Sequence, residues 1–139
     1  MEKRLLQVEL PMTVKTYDID FMGIVSNISY VRWMEDLRLH MLEVYYPLQK
    51  LMAELIVPII SQTHIEFRRP IKMHDQVKGC IWMDKFDASG WVASMEFLVN
   101  GKHAASGQQS GVFFNIGTMK PSNPPEGLQR MYDEEQQRL

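Results

Sequence analysis

The chain has 139 residues, of which 45% are hydrophobic and 23% are charged, and this composition excludes a wholly disordered protein. The length suits one domain, since two domains of half that size would each be undersized. The 15 basic and 17 acidic residues give a formal net charge of -2, which argues against a nucleic-acid partner held by a general basic field.

The N-terminal sequence turns polar before an apolar stretch of signal-peptide length builds up. The longest apolar runs, such as residues 55–60, are too short to span a bilayer. Cys80 is the single cysteine, which excludes an intrachain disulfide and favours a reducing compartment. No cluster of Cys and His indicates a structural zinc site. We therefore expect a cytoplasmic protein with no membrane span, no metal and no cofactor.

The first half of the chain predicts a strand, a loop and a long helix. Residues 7–16 have their apolar side chains on one face, and Pro11 indicates that this strand lies at a sheet edge or carries a bulge. Residues 17–25 lack a clean period, which predicts a loop. Residue types that favour an N-cap precede a helical pattern from about 27 to about 46. The predicted buried stripe of this helix consists of Tyr30, Met34, Leu37, Met41 and Val44.

The second half predicts an antiparallel meander. Residues 48–56 indicate a second short helix or an irregular turn. Alternating patterns then predict four strands at residues 59–68, 77–85, 91–99 and 103–116. Asn100-Gly101 is a strong hairpin signal, because both turn positions must accept positive φ. A long helix with one apolar stripe needs a sheet to cover it, so we expect an α+β domain with the helix packed across a curved antiparallel sheet.

The composition changes near the C-terminus. Residues 1–118 are predicted to form one domain. Residues 119–139 begin with a proline-containing stretch and continue with polar and charged side chains, which predicts a linker followed by a polar tail or a short helix.

Two carboxylates precede the long helix, because Asp18 and Asp20 lie two residues apart in the predicted loop. A helix N-terminus offers unpaired N–H groups and a partial positive charge, which can polarise the carbonyl of an acyl substrate. A carboxylate nearby can attack that carbonyl or activate a water molecule. From spacing alone, a structural role is favoured, in which either acid stabilises the helix N-terminus or closes an Asx turn.

The segment of residues 18–35 resembles a known family. It has the pattern Asp18-x-Asp20-x-x-Gly23-x-Val25-x-Asn27-x-x-Tyr30-x-x-x-x-Glu35. This pattern is similar to that of the hotdog-fold acyl thioesterases, and the nearest branch is the 4-hydroxybenzoyl-CoA thioesterase type. A second segment, residues 65–77, agrees through an aromatic strand end, a proline and an aspartate before the next strand. The resemblance implies a hotdog fold and hydrolysis of an acyl-CoA or acyl carrier protein thioester.

The resemblance also implies roles for individual residues. Asp20 occupies the place of the family's catalytic carboxylate, which acts as nucleophile or general base. Asn27 occupies the helix position whose backbone N–H faces the thioester oxygen. Tyr30 and Glu35 match family positions on the helix, where packing, with an Arg38 pair for Glu35, explains them at least as well as contact with substrate.

Departures from the family pattern concern the substrate. Asn27 stands where the closest bacterial relatives often have histidine, and Phe21 and Met22 replace residues that are often small. These changes favour an aliphatic acyl chain over an aromatic one, since Phe21, Met22 and Met34 would form an apolar and adaptable wall. By the same resemblance, Gly23 lets the backbone approach the substrate closely, where a Cβ would intrude.

Three basic residues, Arg68, Arg69 and Lys72, lie close together around Pro70. A compact basic patch suits the pyrophosphate or 3′-phosphate of CoA, and a solvated strand end explains it equally well.

The resemblance further implies a homodimer with one continuous sheet and an active site between the subunits, with a homotetramer of two such dimers as a further arrangement. Two other functions stay open. One is a non-catalytic module that binds acyl-CoA or acyl carrier protein. The other is a hotdog hydratase or dehydratase, which the absence of histidine from the motif loop disfavours.

Overall fold

The computed structural model describes residues 4–138; residues 1–3 and Leu139, which fall within the predicted domain and tail, lie outside the described residues. The helices are α1 (Asn27–Tyr45), α2 (Leu48–Glu54) and α3 (Glu126–Gln137), and a short 3-10 helix covers Thr16–Asp18. The strands are β1 (Leu5–Thr13), β2 (Ile56–Phe67), β3 (Gln76–Asp87), β4 (Gly90–Val99), β5 (Lys102–Asn115) and β6 (Lys120–Ser122).

The strands form one antiparallel sheet in the order β1-β3-β4-β5-β2, and β6 pairs with the end of β5. Asn100 and Gly101 connect β4 to β5 with φ of 52° and 77°, as the hairpin signal predicts. Pro11 lies in β1 opposite Lys78, and β1 is an edge strand, as its proline predicts. The predicted α+β architecture, a long helix across a curved antiparallel sheet, is confirmed.

Helix α1 packs on one side of the sheet through a stripe of large apolar side chains. Its buried apolar residues are Tyr30, Trp33, Met34, Leu37 and Met41. Gly79 of β3 permits this close approach, because a Cβ there would lie 3.1 Å from a methyl carbon of Leu37. The prediction for Val44 is wrong, since this side chain is 53% exposed. At this last turn Tyr45 and Tyr46 face the protein instead: the Tyr45 hydroxyl donates to the carbonyl of Gln7 at 3.0 Å, and Tyr46 is buried.

The segment predicted as a linker followed by a tail or short helix contains β6 and α3. Helix α3 buries Leu128 and Tyr132. The Gln129 side-chain amide donates to the Phe86 carbonyl at 2.8 Å, and the Tyr132 hydroxyl donates to the Asp84 carbonyl at 3.3 Å. Helix α3 is therefore docked on the body of the domain, where it packs against β1 and β3.

Candidate active site

A closed loop precedes α1. Ile19 and Val25 pair as an isolated bridge, and the Asp20 backbone N–H donates to the Ile24 carbonyl at 2.9 Å. Gly23 completes the turn with φ of +78°, a conformation that side-chain-bearing residues rarely adopt. A Cβ at this position would meet no atom of the protein within 4 Å. The backbone conformation, and not crowding within the chain, requires glycine here.

Asp18 attaches this loop to α1. Its buried carboxylate accepts a hydrogen bond from the Ser29 hydroxyl at 2.8 Å and another from the Lys15 backbone N–H at 2.8 Å. Its backbone carbonyl accepts from the Ser26 N–H at 2.8 Å. Because both carboxylate oxygens are engaged inside the protein, Asp18 has the geometry of a loop-organising residue.

Asp20 is placed differently, although it lies only two residues further along the chain. Its Oδ1 accepts from the backbone N–H of Met22 at 2.8 Å and from that of Ile24 at 3.4 Å. Its Oδ2 has no hydrogen-bond partner among residues 4–138, and the residue is partly exposed. One oxygen therefore fixes the orientation of the carboxylate, and the other is available to a ligand.

The N-terminus of α1 begins beside this loop. Ser26 is the N-cap, and its hydroxyl oxygen accepts from the Ser29 N–H at 3.4 Å. Asn27 follows as the first residue of the helix, with an exposed side chain. In the described part of the chain, the backbone N–H groups of Asn27 and Ile28 have no hydrogen-bond partner. Such donors, at the positive end of a helix dipole, suit a carbonyl oxygen that gains negative charge.

The basic segment after β2 lies against the same loop. Ile24 and Lys72 form an isolated bridge, so Lys72 adjoins the turn that holds Asp20. The backbone N–H groups of Arg68 and Arg69 both bond to the Ala104 carbonyl, at 2.9 Å and 3.0 Å, and fix the start of the segment. All three basic side chains are exposed. The two motifs found in the sequence thus meet at the N-terminal end of α1.

Tyr30 and Met34 pack in the core beneath this end of the helix. The Tyr30 ring meets the Phe67 ring edge to face at 5.1 Å between centroids, and burial raises the pKa of Tyr30 to about 12. The tyrosine therefore stays neutral near pH 7. Met34 is fully buried, and a Cβ at Gly107 of β5 would lie 2.7 Å from its terminal methyl carbon. Met34 therefore packs against the sheet, whereas Phe21 and Met22, the other two residues predicted to form the apolar wall, lie at the surface.

Arg38 pairs with Gln109 and not with Glu35. Its guanidinium donates to Gln109 Oε1 at 2.5 Å, and the Gln109 amide donates to the Thr63 hydroxyl at 3.1 Å. Burial lowers the pKa of Arg38, and exposed Glu35 opposes that shift from a longer distance. Gln109 belongs to no motif in the sequence. The signal that would have identified Gln109 is an amide side chain at an inward-facing position of a strand that is rich in small residues.

Large apolar side chains are exposed around the loop and the first turn of α1. Phe21 is 97% exposed and Met22 is 69% exposed. Nearby apolar side chains that are also exposed are Tyr17, Ile28 and Val31. Clustered exposed apolar residues beside polar groups mark contact surfaces for ligands or for other protein chains. The predicted site residues Phe21 and Met22 therefore lie at the surface, beside Asp20 and Asn27.

The fold and this arrangement define a class of protein. The architecture is the hotdog fold, as the resemblance implies. Residues 14–131 match the family model described as the thioesterase-like superfamily, and the chain belongs to that superfamily. Among residues 4–138, no helix has the length and apolar character needed to cross a membrane.

Several solved structures share the fold. A gentisyl-coenzyme A thioesterase is 24% identical, with a TM-score of 0.79 over 88% of this chain and 99% of that one. The DHNA-CoA thioesterase from Staphylococcus aureus is 18% identical, with a TM-score of 0.87 over 94% and 91%. A thioesterase-superfamily protein from Jannaschia sp. CCS1 is 14% identical, with a TM-score of 0.87 over 97% of each chain. No match was found among curated proteins.

Proposed function

We propose that the protein hydrolyses an acyl thioester of CoA or of an acyl carrier protein. One observation carries this proposal: the unpartnered Asp20 Oδ2 and the unpartnered backbone N–H groups of Asn27 and Ile28 flank one loop in a member of the thioesterase-like superfamily. A carboxylate that attacks the carbonyl or activates water, placed beside an oxyanion site, is able to hydrolyse a thioester.

The chemistry follows from these two groups. The N–H groups of Asn27 and Ile28 polarise the thioester carbonyl and stabilise the oxyanion formed when the carbonyl carbon is attacked. Asp20 either attacks that carbon directly, giving an anhydride that water then opens, or takes a proton from the attacking water. In both routes the carbon–sulfur bond breaks, water supplies the new oxygen, and the products are a carboxylic acid and a thiol.

The basic segment supports a phosphate-bearing carrier. Arg68, Arg69 and Lys72 are exposed and adjoin the Asp20 loop through the bridge of Lys72 to Ile24. The names of two structurally similar proteins describe thioesterases of CoA derivatives. We infer that these three side chains hold the phosphates of CoA, or an acidic carrier protein, outside the acyl site.

We further propose that two protomers complete the site. Strand β2 pairs with β5 on one side only, and most of its length is exposed, including Ile59, Ile60 and Phe67. The opposite edge, β1, is protected by Pro11 and by the bond from the Leu6 N–H to Glu135 at 2.7 Å. A two-fold dimer across β2 covers the open edge and extends the sheet. The tetramer and the cytoplasmic location stay predictions.

A panel of thioesters tests the proposed function. The same acyl groups are offered on CoA and on acyl carrier protein, and released thiol is measured with a thiol-trapping reagent. Release of thiol supports the proposal, and the preferred carrier follows from the paired substrates. Binding of acyl-CoA with no thiol release would identify a non-catalytic binding module. Conversion of enoyl-CoA without thiol release would identify a hydratase.

A further inference from the structure

An apolar cavity of about 250 Å³ lies beneath the C-terminal half of α1. Its lining comes from α1, α2 and α3 and from the helix-facing side of the sheet, and Arg38 is the only charged residue among the described residues that line it. Its deep wall is made of buried side chains, among them Ile81, Met83, Phe86, Ala93, Phe113 and Leu128. Protein interiors are close-packed, and an apolar space of this size is destabilising unless something fills it.

The cavity opens toward the β2 edge of the domain. The lining residues with the largest exposed fractions are Leu39 of α1, Leu48 of α2 and Ile60 of β2. Arg38 also borders the cavity, and its bond to Gln109 crosses from α1 to β5. The mouth therefore lies between α1 and β2, and the edge of β2 is the one that a second subunit would cover.

The inner end of the cavity is closed by α3. Leu128 is buried in the lining, one residue before Gln129, whose amide bonds to the Phe86 carbonyl. The Phe86 ring contacts the Tyr132 ring at 5.6 Å and the Phe113 ring at 5.2 Å between centroids. Because hydrogen bonds and ring contacts fix α3 at this place, the cavity has a rigid floor and a defined depth.

In the proposed two-fold dimer, the mouth of the cavity lies near the Asp20 loop of the second chain. Tyr30, near the start of α1, contacts Phe67 at the end of β2, whereas the mouth lies at Ile60 near the start of β2. Antiparallel pairing of β2 with its copy sets the end of one strand beside the start of the other. Within one chain, Asn27 and Arg38 are about 16 Å apart along the axis of α1. The second chain's helix N-terminus is therefore the one that faces the mouth.

We propose that this cavity takes the acyl chain of a thioester held at the partner subunit's Asp20, and that Leu128 on α3 sets its maximum length. An apolar cavity of about 150 Å³ accommodates the six carbons of benzene, so this cavity fits about ten carbons. The substrate class is a straight, medium-length aliphatic acyl group. This inference rests on the proposed thioesterase function and adds to it a length limit and the residues that impose it.

A chain-length series tests the length limit. Saturated acyl-CoA thioesters from four to sixteen carbons are compared by kcat/KM in the wild type, in Ala93→Leu, which fills the cavity, and in Leu128→Ala, which deepens it. We expect a wild-type maximum near ten carbons, and a loss of about tenfold for every two methylenes by which a shorter chain fails to fill the cavity. Chains longer than the cavity should gain nothing from their extra methylenes, because Leu128 blocks their further entry. The maximum should move about two to three carbons shorter in Ala93→Leu and a similar distance longer in Leu128→Ala.

Met131→Ala is the matched control, because Met131 lies on the exposed side of α3 and outside the cavity lining. Its length profile should equal that of the wild type. If Ala93→Leu does not fold, Ala93→Val narrows the same wall by less. An unchanged maximum in folded Ala93→Val or Ala93→Leu together with folded Leu128→Ala would overturn the proposal.

A binding measurement separates this inference from the proposed chemistry. Dissociation constants of octanoate, decanoate and tetradecanoate are measured with the full-length Asp20→Asn protein, in which turnover is not required. Tightest binding of decanoate, shifted by the cavity variants in the same directions as above, supports the pocket even if no thioester is hydrolysed. Hydrolysis without such length-dependent binding overturns the pocket and leaves the proposed function standing.

Discussion

The two ends of α1 differ in almost every physical respect. The N-terminal end has unpartnered backbone donors, a carboxylate with one unpartnered oxygen and exposed cations, all at the surface. The C-terminal half covers an apolar cavity that α3 closes. Polar groups at a surface can do chemistry on a carbonyl, while an apolar cavity that is closed at one end can only select by size and shape. Under the proposed function, one helix thus carries a reactive end at its N-terminus and a selective end at its C-terminal half, and substitutions can change each separately.

The largest effect is expected at the reactive end. Asp20→Asn keeps the shape of the side chain and its acceptor for the Met22 and Ile24 N–H groups. It removes the charge that, in the proposed function, attacks the carbonyl carbon or activates water. We expect turnover to fall by about 10²-fold or more with little change in stability. Steady-state kinetics and a thermal melt measure both. Near-wild-type hydrolysis by folded Asp20→Asn would contradict the assigned role.

Asp18→Asn is the matched control two residues away. The buried carboxylate accepts from the Ser29 hydroxyl with one oxygen and from the Lys15 N–H with the other, and the asparagine amide retains only one of these two acceptors. We expect a loss of about 1–3 kcal/mol in the free energy of unfolding. Turnover of the folded fraction should fall less than in Asp20→Asn. A larger loss of turnover than in Asp20→Asn, at unchanged stability, would reverse the roles of the two acids.

Dilution tests the proposed dimer. In that dimer the reactive end of α1 in one subunit faces the selective end of α1 in the other, so activity requires both subunits. We expect the protein to be dimeric or larger at micromolar concentration, and its specific activity to fall about tenfold or more once dilution makes it monomeric. Light scattering and activity are measured over the same concentration series. A monodisperse monomer with full specific activity would refute the shared site.

The basic segment should affect binding more than chemistry. Neutralising Arg68, Arg69 and Lys72 together should raise KM for CoA thioesters about three- to tenfold, since exposed ion pairs are each worth about 1 kcal/mol or less. The kcat should change by less than about twofold, because phosphates far from the carbonyl are bound equally in the ground and transition states. Added salt should raise KM in the wild type more than in the variant.

A matched control removes three cations elsewhere on the surface, namely Lys50, Lys85 and Lys120. This variant should retain the KM of the wild type. A loss of kcat at unchanged KM in the variant of the basic segment would contradict the anchoring role. A response confined to acyl carrier protein substrates would identify the segment as a docking site for an acidic protein.

The sequence predicts the structure at the N-terminal end of α1 well and the packing beneath its C-terminal half poorly. Local signals define the former: N-capping residue types and one apolar stripe place α1 to within about one residue, and the motif loop is contiguous. The cavity arises from contacts between distant segments, such as Phe86 with Tyr132. Strand β6 has three residues, one of them proline, and so shows no alternation. These features depend on tertiary packing that no local pattern encodes.

Within the candidate site, sequence patterns also fail to distinguish buried from exposed residues. Phe21 and Met34 were both expected to line an apolar wall, yet Phe21 is almost fully exposed and Met34 is fully buried. The difference arises because Met34 meets Gly107, which lies on β5 and leaves room for it. Likewise, the partner of Arg38 is 71 residues away and not the nearby Glu35, since the guanidinium turns inward toward the sheet.

The smallest effect on activity is expected for Tyr30→Phe. Tyr30 is buried against Phe67, and burial raises its pKa to about 12 from 10.0, so its hydroxyl is neutral at working pH and does not act as a base. We expect turnover at pH 8 within about twofold of the wild type. A tenfold loss of kcat at unchanged stability would instead assign the hydroxyl a direct role.

The burial of Tyr30 should make the free energy of unfolding depend on pH in the alkaline range. The unfolded chain loses the phenol proton near pH 10, whereas the folded chain keeps it to about pH 12. The contribution of Tyr30 to the free energy of unfolding is therefore fully present below pH 10 and is lost as the pH rises toward 12. The loss at pH 11 is about 1 kcal/mol. Tyr46, whose pKa is also raised to about 12 by burial and by its bond to Glu54, adds a similar loss. In Tyr30→Phe, the free energy of unfolding should decrease less between pH 8 and pH 11 than in the wild type. The difference should equal the loss that Tyr30 contributes, which is about 1 kcal/mol. An equal decrease in both proteins would mean that the Tyr30 hydroxyl is solvated in the folded state.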